Sequence, residues 1–252
     1  MSFTIALSGK GGTGKTTLSS LCIRFLKEKN LSPILAVDAD PNSNLNECLG
    51  VSINANVADI REKSLEREKN IPAGMSKPDF IEYEITKTLV EASGFDLLAM
   101  GRPEGPGCYC YTNNLIRKFI DKLSSKYRFV IIDTEAGMEH FSRRTTQKVD
   151  LLLLVSDYNV RGIKAAGKIK QLVRELNLQI DRNYLVLNRS PEKIDASIAS
   201  EIEKNDLKLA GTIPEDENVR NFDIEGKPLI DLPRDSKSYE ALKKILDKFV
   251  NI

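Results

Sequence analysis

Residues 9–16 read Gly-Lys-Gly-Gly-Thr-Gly-Lys-Thr and form a glycine-rich segment just after the apolar run Phe3–Leu7. The spacing fits G-x-x-x-x-G-K-[ST], a pattern in which a strand leads into a loop and the loop into a helix. Glycines let the backbone wrap closely around an anion, and the N–H groups at a helix N-terminus supply positive potential. We therefore expect a strand at Phe3–Leu7, a phosphate-binding loop (P-loop), and a helix from about Thr16 to Lys29.

Short apolar runs alternate with longer segments of helical period along the rest of the chain. The further predicted strands are Pro33–Asp38, Phe95–Met100, Arg128–Asp133, Leu151–Val155 and Asn183–Asn188. The further predicted helices are about Thr112–Lys126, Val160–Leu176, Ser197–Asn205 and Ser236–Val250. The charge run Arg61–Lys69 indicates a solvated helix, and Pro72–Pro78 indicates a loop. This alternation predicts an α/β fold of the P-loop NTPase type, with a mostly parallel sheet flanked by helices on both faces, as a single domain over residues 1–252.

Composition excludes several classes of protein. The 252 residues carry 37 Lys and Arg against 36 Asp and Glu, so the net charge of +1 gives no reason to expect a nucleic-acid partner. No apolar stretch approaches the length of a membrane span, and the first residues lack the basic segment of an export signal. We therefore expect a cytoplasmic protein without a disulfide framework, in which Cys22 and Cys48 line the core as small apolar side chains.

Two side chains of the predicted loop have direct chemical roles. Lys15 is expected to bridge the β- and γ-phosphates of a nucleotide, and the Thr16 hydroxyl is expected to bind Mg²⁺. The residues expected to contact the nucleotide in this segment are Gly11, Gly12, Thr13, Gly14, Lys15, Thr16 and Thr17.

Lys10 adds a second lysine near the start of the loop and gives it the form K-G-G-x-G-K-[ST]. This form resembles the deviant Walker A loop of the MinD/ParA-type ATPases. The resemblance implies hydrolysis of ATP with Mg²⁺ in a nucleotide-sandwich homodimer, where Lys10 reaches the partner's phosphates as an arginine finger does. It also implies that the catalytic residues are Lys10, Lys15 and Asp40.

Two acidic segments match the same family. Asp38-Ala-Asp40 resembles switch I, which implies that Asp38 holds Mg²⁺ through water and that Asp40 positions or activates the attacking water. Residues 130–137 resemble a Walker B strand running into switch II, with Asp133 as an outer ligand of Mg²⁺ and Gly137 permitting a rearrangement that depends on the γ-phosphate. A carboxylate at the C-terminal end of a strand beside the phosphate loop is well placed for this chemistry.

Two late segments resemble the part of the family that holds adenine. Asn188 ends a predicted strand, Arg189 follows it, and residues 211–216 read Gly-Thr-Ile-Pro-Glu-Asp. The resemblance implies that Asn188, Arg189, Pro214 and Glu215 contact the nucleotide. Because these segments follow the others in family order from residue 9 to residue 216, the resemblance covers nearly the whole chain.

Residues 102–111 predict a loop that carries Cys108 and Cys110 before a helix capped by Thr112 or Asn113. A helix N-terminus favours the thiolate form, and soft thiolates suit Zn²⁺, Ni²⁺, Cu(I) or iron–sulfur clusters. Structural thiolate sites typically need four ligands, which two copies of this chain would supply. The dimer implied by Lys10 and the dimer that pairs the thiols can be the same one.

The loop that carries the cysteines, together with Asp133–His140, resembles the CooC-type subgroup of nickel-insertion ATPases for carbon monoxide dehydrogenase and the related AcsF-type proteins for acetyl-CoA synthase. The resemblance implies that Cys108 and Cys110 hold Ni²⁺ or Zn²⁺ between subunits and that the metal passes to an apo-enzyme of this kind. The number of thiolates leaves the choice of metal open. His140 could be a transient ligand, although a local hydrogen-bonding role is favoured.

Two alternatives remain open at the level of sequence. One is a MinD/ParA-like positioning ATPase, because Tyr239, Leu242 and Ile245 begin an apolar stripe that could lie on a membrane. Packing of that stripe onto the sheet is the favoured interpretation. The other is an ATP-dependent reductase component with an iron–sulfur cluster between subunits. It is disfavoured because the cysteines form a close pair and none follows Asp133.

Overall fold

The structure is a computed structural model that describes residues 2–40, 44–60, 71–72, 74–101, 110–135 and 148–250. For residues 110–115 and 117 the description covers the backbone alone. Arg61–Lys69 therefore lies outside the described residues, as do Cys108, Gly137 and His140.

A single sheet organises this part of the chain. Its strands are β1 (Phe3–Ser8), β2 (Ile34–Asp38), β3 (Val90–Ala92), β4 (Phe95–Ala99), β5 (Phe129–Asp133), β6 (Val149–Asp157), β7 (Ile180–Asn188) and β8 (Leu209–Ile213). They lie in the order β3-β4-β2-β5-β1-β6-β7-β8, and only β3, among the described strands, runs antiparallel to its neighbour. This arrangement confirms the predicted α/β fold with a mostly parallel sheet. One domain over residues 1–252 stays a prediction.

Helices connect the strands and cover both faces of the sheet. They are α1 (Lys15–Glu28), α2 (Leu45–Leu49), α3 (Lys77–Thr86), α4 (Cys110–Ser124), α5 (Val160–Glu175), α6 (Ala196–Lys204), α7 (Glu217–Glu225) and α8 (Lys237–Leu246), with a 3-10 turn at Leu229–Asp231. Among the described residues, no helix combines the length and apolar character needed to cross a bilayer.

The core consists of two apolar layers, because successive side chains of a strand point to opposite faces of the sheet. In β1, Ala6 belongs to the layer covered by α3, α4, α5 and α6, whereas Ile5 and Leu7 belong to the layer covered by α1, α2 and α8. In the second layer, Tyr239 and Leu242 of α8 are fully buried. The apolar stripe of the last helix therefore packs onto the sheet, as the sequence favoured.

Several elements differ from the prediction. Lys77 and Pro78 open α3 instead of ending a loop, since proline is tolerated in the first turn of a helix and Ser76 caps it. The short strand β3 forms a hairpin with β4 around Gly94, and β8 takes in part of the segment expected to be an adenine loop. The last helix ends at Leu246, earlier than predicted.

The start of α4 also differs from the prediction. Cys110 is the first residue of this helix, so Thr112 and Asn113 lie inside it and neither caps it. The predicted strand and helix around the glycine-rich segment are both confirmed.

Candidate functional site

The glycine-rich loop lies at the C-terminal end of β1 and leads directly into α1, the geometry that the motif requires. A Cβ atom on Gly9 would lie 2.1 Å from the Val155 carbonyl oxygen of β6, so the loop passes too close to the sheet for any side chain. Gly12 and Gly14 have φ angles of +80° and +87°, in the left-handed region that favours glycine. The glycines therefore shape a tight loop above the edge of the sheet.

The carbonyl of Lys10 lies at the centre of this loop. It accepts hydrogen bonds from the Lys15 ammonium at 3.2 Å and from the Thr13 hydroxyl at 2.9 Å. Lys15 is 7% exposed, so its charge is directed into the loop, whereas the Lys10 side chain is exposed. A buried ammonium in a glycine-rich loop at a helix N-terminus is suited to bind the phosphates of a nucleotide.

Two buried carboxylates lie beside the loop at the ends of neighbouring strands. Asp38 ends β2, Asp133 ends β5, and the two are register partners. The Asp38 carboxylate accepts hydrogen bonds from the Leu45 N–H at 3.0 Å and the Asp40 N–H at 3.1 Å. Burial raises the pKa of Asp38 to about 7, with the neighbouring Asp133 charge adding to it and the Leu45 N–H opposing it.

Asp133 is 1% exposed, and burial raises its pKa to about 6, although the Thr16 hydroxyl and the Lys15 charge lower it. Its Oδ1 accepts a hydrogen bond from the Ser19 hydroxyl at 3.2 Å. Within the described part of the chain, its Oδ2 has no hydrogen-bond partner. An unsatisfied buried carboxylate oxygen indicates that a further group completes the site.

These oxygen atoms fit Mg²⁺, a hard cation that takes one or two carboxylates, several waters and the phosphates of its nucleotide. Thr16, Asp38 and Asp133 would hold the ion, directly or through water, because all three lie at the junction of the loop with β2 and β5. When bound, Mg²⁺ neutralises charge on the phosphate oxygens. Asp40 follows β2 at the same edge, where a carboxylate can orient a water molecule toward the phosphates.

The predicted adenine residues surround a cavity of about 330 Å³ next to the loop. Asn188 and Arg189 line it at the end of β7, Pro214 and Glu215 line it after β8, and Thr17 lines it from α1. Asn188 and Arg189 also contact the loop itself, through the carbonyls of Thr13 and Gly12. The structure thus brings these residues together in one place.

Two residues of this site were not predicted from the sequence. Ser19, one turn beyond Lys15 in α1, donates to Asp133, and nothing distinguishes it in sequence from the neighbouring Thr17 and Ser20. Asp157 forms an ion pair with Arg189. Because Asp157 ends a buried strand, as Asp38 and Asp133 do, its position was the signal that could have identified it.

The cysteines divide into two groups. Cys22 is fully buried in the core, as predicted, and burial raises the pKa of its thiol. Cys48 is half-buried against the same apolar layer, and burial raises the pKa of its thiol to about 12. Cys110 begins α4, while Cys108 lies outside the described residues. Across the described ranges, no group of three or more His, Cys, Asp and Glu side chains is arranged to hold a metal ion.

Comparison with known proteins identifies relatives along almost the whole length. Residues 4–229 match the family described as the CobQ/CobB/MinD/ParA nucleotide binding domain. An uncharacterized ATP-binding protein of Methanocaldococcus jannaschii is 45% identical over 249 residues, which cover 98% of each chain. The carbon monoxide dehydrogenase accessory protein CooC of Rhodospirillum rubrum is 30% identical over 239 residues, 90% of this chain and 89% of that one.

Solved structures show the same fold. The septum site-determining protein MinD of Pyrococcus horikoshii, solved with Mg-ADP, has a TM-score of 0.72 and 23% identity, and the match covers 100% of this chain and 97% of that chain. A ParA family ATPase from Chlorobium tepidum has a TM-score of 0.71 and 20% identity, with 97% and 98% of the two chains covered. At these identities the likeness concerns the fold alone.

Proposed function

The chain belongs to the family of CobQ/CobB/MinD/ParA nucleotide-binding domains and binds ATP, and we propose that it hydrolyses ATP to ADP and phosphate. The observation that carries this proposal is the convergence of a buried lysine with carboxylates at one edge of the sheet. Lys15 would bind the β- and γ-phosphates, and Asp40 would position the attacking water. The exposed Lys10 would complete the site of a second copy in a homodimer.

We further propose that ATP controls the binding of a soft metal ion by Cys108 and Cys110. The ion, Ni²⁺ or Zn²⁺, is the cargo of the protein and passes to an apo-metalloenzyme such as carbon monoxide dehydrogenase or acetyl-CoA synthase. Two observations support this proposal: Cys110 lies in the first turn of α4, where a helix N-terminus favours thiolate, and CooC is a relative over most of the chain.

Closure of the ATP-bound dimer would bring the cysteines of two chains together around one ion. Hydrolysis would then release the contacts of the γ-phosphate with the switch I and switch II segments, loosen the dimer and change the affinity for metal. Soft thiolates would keep the cargo apart from Mg²⁺, which prefers the oxygen ligands of Asp38, Asp133 and the phosphates.

Equilibrium metal binding tests the proposal directly. We expect the wild type, with a non-hydrolysable ATP analogue, to bind one Ni²⁺ or Zn²⁺ per dimer and to elute as a dimer in size-exclusion chromatography. Cys110→Ala should lose the metal and keep ATP binding. Cys48→Ala is the matched control, because it removes a half-buried thiol outside the motif and should leave the stoichiometry unchanged. Unchanged metal binding by Cys110→Ala would remove the metal proposal and leave the ATPase proposal in place.

The alternative function, that of a positioning ATPase, can be tested in parallel with metal delivery. Burial of Tyr239, Leu242 and Ile245 leaves α8 without the free apolar stripe that this alternative invoked. Sedimentation of the ATP-bound protein with anionic lipid vesicles or DNA, combined with absence of metal at Cys110, would favour the positioning ATPase over metal delivery.

A further inference from the structure

Two consecutive residues at the end of β7 hold two consecutive carbonyls of the phosphate loop. The Asn188 side-chain amide donates to the Thr13 carbonyl at 2.8 Å. The Arg189 guanidinium donates to the Gly12 carbonyl at 2.6 Å. The two residues of each contact are 175 and 177 positions apart in the sequence.

Arg189 is itself fixed in place. The nitrogen that contacts Gly12 also contacts the carboxylate of Asp157, which ends the neighbouring strand β6. Asp157 and Asn188 are register partners, and Arg189 directly follows Asn188. The accepting Asp157 and the donating Arg189 therefore lie at the same edge of the sheet. Arg189 has a φ of +50°, an uncommon conformation for a side-chain-bearing residue, and the Ser190 N–H holds the turn by donating to the Ile213 carbonyl at 3.0 Å.

The orientation of a peptide group explains the consequence of these contacts. In a trans peptide the C=O and the following N–H point in opposite directions. The Gly12 carbonyl points to Arg189, and the Thr13 N–H accordingly points to the opposite side of the loop, where it donates a long hydrogen bond of 3.4 Å to the Lys10 carbonyl, which also accepts from Lys15. The Thr13 carbonyl points outward to Asn188, which turns the Gly14 N–H inward in the same way.

We propose that Asn188 and Arg189 are positioning residues of the phosphate loop, which turn the N–H groups of Gly14 and Thr13 toward the phosphates, with Asp157 holding Arg189 in place. This role is additional to any contact with the base. It rests on the proposed function only in that the loop binds ATP, since it concerns phosphate binding and requires neither metal delivery nor hydrolysis.

Competition binding in the presence of Mg²⁺, with ATP, GTP and inorganic tripolyphosphate as the probes, separates this role from base recognition. We expect Arg189→Ala to weaken ATP and tripolyphosphate by the same factor, about tenfold for the loss of a charged hydrogen bond, with the ATP-to-GTP preference unchanged. Arg189→Lys should restore most of the affinity, because a single nitrogen makes both contacts of Arg189. Arg174→Ala is the matched control, because Arg174 pairs with an aspartate far from the loop and should bind as the wild type does.

Asp157→Asn provides a second variant that leaves Arg189 in the chain. It should weaken tripolyphosphate in the same direction, and the melting temperature without ligand shows that each variant is folded. A changed ATP-to-GTP preference with unchanged tripolyphosphate binding would overturn the proposal, and so would wild-type affinities in both Arg189→Ala and Asp157→Asn. A wild type that binds ATP without hydrolysing it would instead remove the ATPase proposal and leave this one standing.

Discussion

The phosphate loop has no space for a side chain at Gly9. The position of a Cβ atom on this residue lies 2.1 Å from a backbone oxygen of β6, whereas a Cβ atom on Gly11 would have no neighbour within 4 Å. A backbone oxygen in the middle of the sheet cannot rotate away as a flexible side chain can. The two glycines are therefore predicted to differ sharply when each is replaced by alanine.

We expect Gly9→Ala to lower the free energy of unfolding by about 1–3 kcal/mol, because the loop or the end of β6 must shift to accept the methyl group. Gly11→Ala should change it by less than about 0.5 kcal/mol, since its site is open. Urea denaturation of the two variants without ligand measures both values. Equal stabilities would show that the loop can move away from the sheet at no cost.

Among single residues, the sequence best predicted those whose place in the site is set by the course of the backbone. Asp38 and Asp133 follow buried strands, and a parallel sheet brings the ends of its strands to one edge whatever the side chains are. Contacts made by long side chains were not predictable in this way. The hydrogen bond from Arg189 to Gly12 depends on a left-handed turn and on the ion pair of Arg189 with Asp157. The strand end marks Asp157, but no local pattern indicates which side chain it contacts.

Among the elements, α7 and α8 are joined by one carboxylate. Asp216 caps α7 by accepting from the Asn218 N–H at 2.9 Å, and its other oxygen accepts from the Ser236 hydroxyl at 2.6 Å and the Ser238 N–H at 2.9 Å. Burial alone would raise the pKa of Asp216, but these hydrogen bonds outweigh it and hold the pKa below its usual value. Asp216 also lines the cavity beside the loop, so the cap supports one wall of the nucleotide site.

Because the pKa of Asp216 is lower in the folded state than in the unfolded chain, its ionised carboxylate stabilises the fold at any pH above the unfolded pKa. This stabilisation is lost as the pH falls through the folded pKa. We expect Asp216→Asn to cost about 1–2 kcal/mol at neutral pH, where one of the hydrogen bonds to the carboxylate lacks a matching acceptor. The difference from the wild type should shrink as the pH falls below about 4. Denaturation at a series of pH values checks this, and a difference independent of pH would contradict it.

Elements with a strong apolar period were predictable, and short elements with few buried residues were not. β6 and β7 carry long buried runs and were identified within a few residues. β3 has three half-buried or exposed residues, and its pairing with β4 depends on the turn at Gly94. α7 has no buried residue, so its cap at Asp216 was its main signal in the sequence.

At the scale of the whole molecule, the two lysines of the phosphate loop differ in burial, and we propose that they act on different copies of the chain. Lys15 is buried in the loop and bonded to it, whereas Lys10 is exposed at the outer side of the same loop. We therefore propose that a second copy of the chain brings Lys10 into place for hydrolysis.

Mixing two inactive variants tests this arrangement. Lys10→Ala and Asp40→Asn should each bind ATP and hydrolyse it at least about a hundred times more slowly than the wild type. In a mixed dimer, the chain with Lys10→Ala keeps its own Asp40 and receives Lys10 from the partner. An equal mixture should therefore regain about a quarter of the wild-type rate, because half of the dimers are mixed and each has one complete site.

The control for this mixture pairs Asp40→Asn with the double variant Lys10→Ala/Asp40→Asn, in which no site can be complete. It should stay inactive at every ratio, while the rate of the first mixture should rise and fall with the fraction of mixed dimers. If Lys10 acts within its own chain, neither mixture recovers activity, since each chain then lacks one of its two groups. Recovery in the first mixture alone thus requires that the phosphates bound by one chain are reached by the lysine of the other.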